Sequence, residues 1–140
     1  MVEKVAKNFK ENPQQVQEAL EELDRISLSC LKLLSSECDM LSDMESFEKW
    51  GKLVERNQQL LSIGLGVSHP KLDAVCRIAI KNGLHAKLTG AGGGGYAYIT
   101  LPPNLTQNVL ERTKTDLQEI NCSVCETTLG ASGGVKINVL

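Results

Sequence analysis

Residues 87–101 read KLTGAGGGGYAYITL and place five glycines within the six positions from Gly90 to Gly95. Glycine in regular structure is less favourable than alanine by roughly 0.5–1 kcal/mol, so ordering this run costs free energy. The segments on either side alternate between two sets of side chains, as β-strands do. The sequence therefore predicts two strands that pair through a glycine loop, and the loop needs a physical reason for its missing side chains.

The chain changes character near Gly83, because apolar residues recur at helical intervals before it and alternate after it. The first part predicts a short opening helix, then helices over 13–38 and 46–63, and a helix that begins at Pro70 and stops at Asn82–Gly83. The second part predicts two strands, a helix over 104–120, and final strands within 121–130 and 134–140. This order predicts one α+β domain over residues 1–140, helical to about 83 and then an antiparallel sheet with helices on one face.

The apolar stripes of these helices predict the core. Four of their members are expected at its centre: Leu20, Leu31, Val75 and Ile80. On the helix 104–120 a second stripe is expected to face the sheet: Leu105, Val109, Leu110, Thr113 and Leu117.

Composition excludes some classes of partner. With 15 basic and 17 acidic residues the formal charge is -2, which argues against a nucleic-acid or anionic-membrane surface. The longest apolar run is far shorter than a membrane span. The five cysteines are an odd number, and the N-terminus resembles no secretory signal, so we expect buried reduced thiols. The CSVC pair at Cys122 and Cys125 lacks a second pair and is interpreted as structural.

Other reactive side chains predict no catalytic or metal site, because no acidic pair, Ser/His/Asp set or metal-spaced cluster occurs. We expect His69 to cap or flank the helix that begins at Pro70, and His85 to lie on the polar face of a strand. The acids of the helix 104–120 are expected on a solvated face: Glu111, Asp116 and Glu119.

The glycine run matches G-x-G-x-x-G at Gly90, Gly92 and Gly95, but a strand follows where a dinucleotide site needs a helix. A Walker loop is also excluded, since Tyr96 stands where its lysine belongs. What remains is a side-chain-free backbone whose N–H groups can approach an anion. The alternative is a hairpin loop without a ligand, although short hairpins need only one or two glycines.

Three stretches resemble the GHMP small-molecule kinases, in the form typical of the mevalonate kinase family. The segment KLTGAGGGG is similar to their third conserved motif, and the stretch that contains it follows the same order as two others: NQQLLSIGLGVSHPKLD (57–73), NGLHAKLTGAGGGG (82–95) and CETTLGASGGVKI (125–137). The resemblance implies a GHMP kinase C-terminal domain with a ferredoxin-like four-stranded antiparallel sheet and extra N-terminal helices. Tyr96 and Tyr98 depart from the small residues usual after this motif and are expected to narrow the loop's surroundings.

The resemblance also implies an activity, the ATP-dependent transfer of phosphate to the primary hydroxyl of mevalonate in isoprenoid and sterol biosynthesis. It covers only the C-terminal half of that family, whose catalytic residues and Mg²⁺ ligands lie in an N-terminal domain absent from this chain. The isolated chain is therefore expected to be inactive. By the same resemblance, one wall of the ATP-phosphate and mevalonate cleft is formed by Thr89, Gly90, Ala91, Gly92, Gly93, Gly94 and Gly95.

The implied partners are the N-terminal kinase domain, ATP with Mg²⁺, mevalonate and a second copy in a homodimer, and the implied compartment is the cytoplasm or the peroxisome. Two other classes remain open from the residues. The chain is alternatively a folding and dimerisation module built on the helices 13–38 and 46–63, or a ferredoxin-like module that binds RNA or a small ligand. An aromatic content of 4% argues against RNA.

Overall fold

The computed structural model describes residues 2–35, 43–90 and 92–127. The elements in chain order are α1 (Val2–Glu11), α2 (Pro13–Ser35), α3 (Met44–Gln59), a π-helical turn (Leu60–Gly64), α4 (Pro70–Lys81), β1 (His85–Thr89), β2 (Tyr96–Thr100) and α5 (Gln107–Glu119). Within these described ranges, every helix is too short or too polar to cross a lipid bilayer.

The predicted helices form, and their ends differ where a cap was overlooked. Helix α3 begins before the predicted residue 46 because the Asp43 carboxylate accepts hydrogen bonds from the N–H groups of Glu45 and Ser46. Helix α5 begins three residues after the predicted residue 104 because Thr106 is its N-cap. Helix α2 is confirmed to Ser35, and residues 36–38 of its predicted span lie outside the described residues.

The predicted strand pair is confirmed. Strands β1 and β2 are antiparallel, with Lys87 opposite Tyr98 and Leu88 opposite Ala97. The sheet has two strands in the described part of the chain, so the four-stranded ferredoxin-like arrangement is not confirmed. Residues 121–127 have no strand structure, contrary to the prediction for 121–130, and the rest of both final strands lies outside the described residues.

Helices cover both faces of β1, which corrects the expectation of helices on one face. Ala86 packs with Cys76 and Ala79 of α4 in one apolar cluster. The neighbouring His85 points the other way and meets Phe47 of α3 at 5.5 Å between ring centroids. Because successive side chains of a strand face opposite sides, α3 and α4 lie on opposite faces of β1.

The centre of the core also differs from the prediction. Val75 is buried, but Leu20, Leu31 and Ile80 are 42%, 59% and 51% exposed. On helix α2 only Val16, Ala19 and Ile26 are buried, a narrower stripe than the apolar residues of the helix predict. These three residues pack in a second apolar cluster with residues of the π-helical turn and the segment after it: Leu60, Leu65 and Val67. The stripe predicted on α5 fares better, since Thr113 and Leu117 are buried.

Candidate functional site

The glycine loop, residues 90–95, joins β1 to β2, and its described glycines all have a left-handed backbone. The angle φ is 80° at Gly90, 74° at Gly92, 72° at Gly93, 134° at Gly94 and 93° at Gly95. Residues with a Cβ atom rarely adopt such angles, since the side chain collides with the backbone. Conformation alone therefore favours glycine at these positions. Ala91 lies outside the described residues.

One side of the loop packs against the segment 65–69, which we call the connector. The Gly93 N–H donates a hydrogen bond of 2.9 Å to the carbonyl oxygen of Val67. A Cβ atom on Gly92 would overlap that same oxygen. Val67 is itself buried, so the connector gives the loop a fixed backstop.

The other side of the loop is open. Apart from each glycine and its two neighbours in the chain, no heavy atom of the described residues lies within 4 Å of the position that a Cβ would take on Gly93, Gly94 or Gly95. Thr89, which ends β1, is exposed beside this opening. The loop thus presents a backbone surface without side chains, and the Gly93 amide is directed inward to Val67 rather than toward that opening.

The two tyrosines after the loop occupy different surroundings. Tyr96 is 80% exposed next to the glycines. Tyr98 lies across the strand from Lys87, whose Nζ is 5.9 Å from the ring centroid. The side chains of Tyr98 and Lys87 line a groove of about 340 Å³ between the sheet and helices α2 and α3. Burial there raises the pKa of Tyr98 and lowers the pKa of Lys87.

The two histidines have structural contacts. The prediction for His69 is confirmed, because its Nδ1 accepts a hydrogen bond from the Lys71 N–H at the start of α4. His85 does lie on the polar side of β1, but α3 buries that side. Its Nδ1 is 2.6 Å from Glu55 Oε1, and its ring occupies the space next to Gly51 that a larger residue would need.

One of the three acids expected in solvent is instead a structural contact. Asp116 accepts hydrogen bonds from Asn82 Nδ2 at 3.1 Å and Lys81 Nζ at 3.2 Å. These bonds join α5 to the end of α4 and hold the pKa of the Asp116 carboxyl below its usual range. Glu111 and Glu119 are exposed, as expected.

The described cysteines are free thiols in different environments. Cys76 is buried, and burial raises its pKa to about 11. Cys30 and Cys122 are half-buried, whereas Cys125 is exposed, which corrects the expectation of uniformly buried thiols. Cys38 lies outside the described residues.

In residues 2–35, 43–90 and 92–127, no three His, Cys, Asp or Glu side chains are grouped to hold a metal ion.

Sequence reasoning missed the groups that hold the loop. The anchor at Val67 is a backbone carbonyl, which no residue pattern identifies. Next to it, Gln58 and Asp73 form a polar cluster with Ser68. The only available signal was that these residues fall inside the segment 57–73, which resembles the GHMP kinases together with the glycine run.

The connector and the glycine loop that it supports both lie within a segment that matches a known family. The family model described as "GHMP kinases C terminal" matches residues 40–117, more than half of the chain. The chain belongs to this GHMP kinase family. The match includes the connector and the whole glycine loop.

Curated relatives of this GHMP chain are named mevalonate kinase. That of Homo sapiens is 39% identical over 121 residues, which cover 86% of this chain and 30% of the relative. Mevalonate kinase ERG12 of Gibberella zeae is 35% identical over 133 residues, covering 94% and 26%. That of Dictyostelium discoideum is 33% identical over 141 residues, covering 100% and 36%. The chain thus spans about a third of the length of the relatives it matches.

Proposed function

We propose that this chain is the C-terminal part of an ATP-dependent mevalonate kinase that phosphorylates the primary hydroxyl of mevalonate in isoprenoid and sterol biosynthesis. The observation that carries the proposal is the open, side-chain-free face of the glycine loop, in a chain whose relatives bear that name. Thr89 and residues 90–95 then form one wall of the cleft that holds the ATP phosphates and mevalonate.

Phosphoryl transfer depends mainly on positioning and on stabilising spread negative charge. A loop without side chains serves this need because phosphate oxygens can come close to its backbone. Gly92 packs against the connector, whereas the space that a Cβ would take on Gly93, Gly94 or Gly95 is open, so in this proposal the open side of these three glycines lies nearest to the ligand. The catalytic groups and the Mg²⁺ ligands are assigned in this proposal to an N-terminal kinase domain outside this chain, since the chain covers only 30% of the human relative.

The proposal also includes the domain organisation, the complete sheet and the cellular compartment. The chain forms a single C-terminal domain, with a helical part to about residue 83 and a sheet part after it. Two further strands, largely outside the described residues, complete a four-stranded ferredoxin-like sheet. The enzyme works in the cytoplasm or the peroxisome.

The test is an assay of ADP release that depends on mevalonate. A longer protein that carries this chain behind an N-terminal kinase domain is expected to turn over with ATP and Mg²⁺. The purified 140-residue chain is expected to show no turnover above a mock purification. Absence of activity in the longer protein overturns the proposed function, whereas magnesium-dependent turnover by the short chain overturns the division of labour between the domains.

Association through α2 is a second candidate role, because three leucines in the last turns of this helix are exposed: Leu28, Leu31 and Leu34. Exposed apolar residues on one helix are typical of interfaces. Sedimentation velocity tests this role with Leu31→Glu, which is expected to shift a dimer to monomer. Ile80→Glu on α4 is the matched control, since it adds the same charge at an exposed apolar position elsewhere. A monomeric unaltered chain at high micromolar concentration rejects the role.

A further inference from the structure

Gln58 is a buried glutamine that forms hydrogen bonds to the two segments that hold the glycine loop, strand β1 and the connector. Its Oε1 accepts a hydrogen bond of 2.8 Å from the Leu88 N–H of β1, two residues before Gly90. Its Nε2 donates to Ser68 Oγ at 3.3 Å and to Asp73 Oδ1 at 3.2 Å. One side chain therefore joins the strand that enters the loop to the connector behind it.

The Asp73 carboxylate accepts several hydrogen bonds from side chains around the connector. Besides Gln58, its Oδ1 accepts hydrogen bonds from Ser68 Oγ at 2.7 Å and Ser62 Oγ at 3.1 Å. The Asp73 N–H donates to the His69 carbonyl at 3.0 Å, so the carboxylate is fixed at the start of α4. The π-helical turn, the connector and α4 are thus held to one oxygen atom.

The connector in turn holds the loop. The Val67 N–H donates to the Leu61 carbonyl at 2.9 Å, while the Val67 carbonyl accepts the Gly93 N–H at the same distance. Ser68, the next residue, carries the hydroxyl that Gln58 and Asp73 bind. Asp73 is therefore connected to the middle of the glycine loop by the hydrogen bond to Ser68, the peptide bond from Ser68 to Val67 and the hydrogen bond from Val67 to Gly93.

We propose that Gln58 and Asp73 are positioning residues that fix the glycine loop for phosphoryl transfer. A run of glycines has more conformational freedom to lose than any other sequence. Because β1 and the connector hold the loop before a ligand binds, part of this conformational freedom is already lost in the free protein. A small displacement of a positioning element lowers rates strongly, so the anchors matter although they do not touch the reacting atoms. The link to catalysis rests on the proposed function.

The substitution Gln58→Glu tests the positioning role. A carboxylate at position 58 still accepts the hydrogen bond from the Leu88 N–H, but it has no donor for Ser68 or Asp73. It also places its negative charge next to that of the Asp73 carboxylate. Gln59→Glu is the matched control, because Gln59 is the exposed neighbour on the same helix and the change in charge is identical.

The readout is amide hydrogen exchange in the 140-residue chain, followed residue by residue by NMR. In Gln58→Glu we expect the Gly93 amide to exchange about tenfold faster than in the unaltered chain, while Thr113 in α5 is unchanged. Gln59→Glu is expected to leave both amides unchanged. A folded Gln58→Glu chain whose Gly93 amide exchanges within about twofold of the unaltered rate overturns the proposal.

If Gln58→Glu does not fold, Ser68→Ala tests the positioning role instead, because this substitution removes one hydroxyl and leaves the apolar core intact. We expect Gly93 to exchange about threefold to fivefold faster, and unchanged protection overturns the proposal. In the longer kinase the same variant should lower kcat at unchanged melting temperature. If Gly93 loosens but kcat and the KM for ATP stay normal, the link to catalysis is wrong while the anchoring stands. If turnover is absent even in the unaltered longer protein, the proposed function has failed independently.

Discussion

Gly92 and Gly94 belong to the same run, yet the structure requires glycine at each for a different reason. At Gly92 the connector leaves no space for a Cβ atom, and the backbone is left-handed as well. At Gly94 the backbone is left-handed but the space is empty in the described structure. The comparison indicates that the run has an anchored side, where packing and backbone conformation both require glycine, and an open side, where backbone conformation alone requires it.

The largest effect should come from a bulky residue on the open side. In the longer kinase, Gly93→Val is expected to lower turnover on the order of 100-fold and to weaken ATP binding, because a branched side chain at φ 72° would displace the loop that we propose as the phosphate wall. Steady-state kinetics give the effect, and circular dichroism checks that the variant is folded. A folded variant with near-normal activity and ATP affinity would replace the phosphate wall with a hairpin loop that has no ligand.

The anchored side should show its largest effect in stability. Gly92→Ala is expected to destabilise the 140-residue chain by about 2–4 kcal/mol, since the added methyl meets the Val67 carbonyl and φ is unfavourable. Gly93→Ala, with the same sign of φ but open space, should cost about 1 kcal/mol. Urea unfolding measures both free energies. Equal losses would mean that packing against the connector contributes nothing.

Cys76 reports whether damage at Gly92 spreads into the core beneath β1. The thiolate is the reactive form, and burial raises the pKa of Cys76 to about 11. Its labelling by iodoacetamide should therefore be slow at pH 8 and rise about tenfold for each pH unit until that pKa is reached. The same profile is expected in Gly92→Ala if the strain stays local. Fast labelling of Cys76 at pH 8 in that variant would show that the two sides of the loop are not separable.

The smallest effect is expected at Thr89. Serine keeps the hydroxyl at this exposed position, so Thr89→Ser should change the activation free energy of the longer kinase by less than about 0.5 kcal/mol. Comparison of kcat/KM with that of Gly93→Val gives the contrast. A loss at Thr89 as large as that at Gly93 would place the methyl group of Thr89 among the essential contacts.

Periodicity was sufficient to predict the helices, the strand pair and the position of the glycine loop. These features follow from local patterns, such as the alternation through Leu84, Ala86 and Leu88. Burial was predicted less well, since Leu31 and Ile80 match the helical period but remain more than half exposed among the described residues. A stripe indicates which residues are able to pack, and only the tertiary arrangement decides which of them do.

The candidate site shows the same division. The unusual composition of residues 90–95 was visible in the sequence, and so was the resemblance of the segment 57–73. The Val67 carbonyl and the burial of His85 were not, because both depend on how α3 and the connector meet β1. Contacts between a backbone group and a distant loop have no residue signature, whereas the glycines that make room for them do.

The hydrogen bond from the Leu88 N–H to Gln58 has a consequence for solubility. Alternate N–H groups of a strand point to opposite edges, so a donor that is taken by a helix side chain points away from β2. Unpaired donors on such an edge are templates on which another molecule can add a strand and begin to aggregate. Here a helix side chain takes the place of a neighbouring strand, so self-association by edge pairing is blocked at the Leu88 donor.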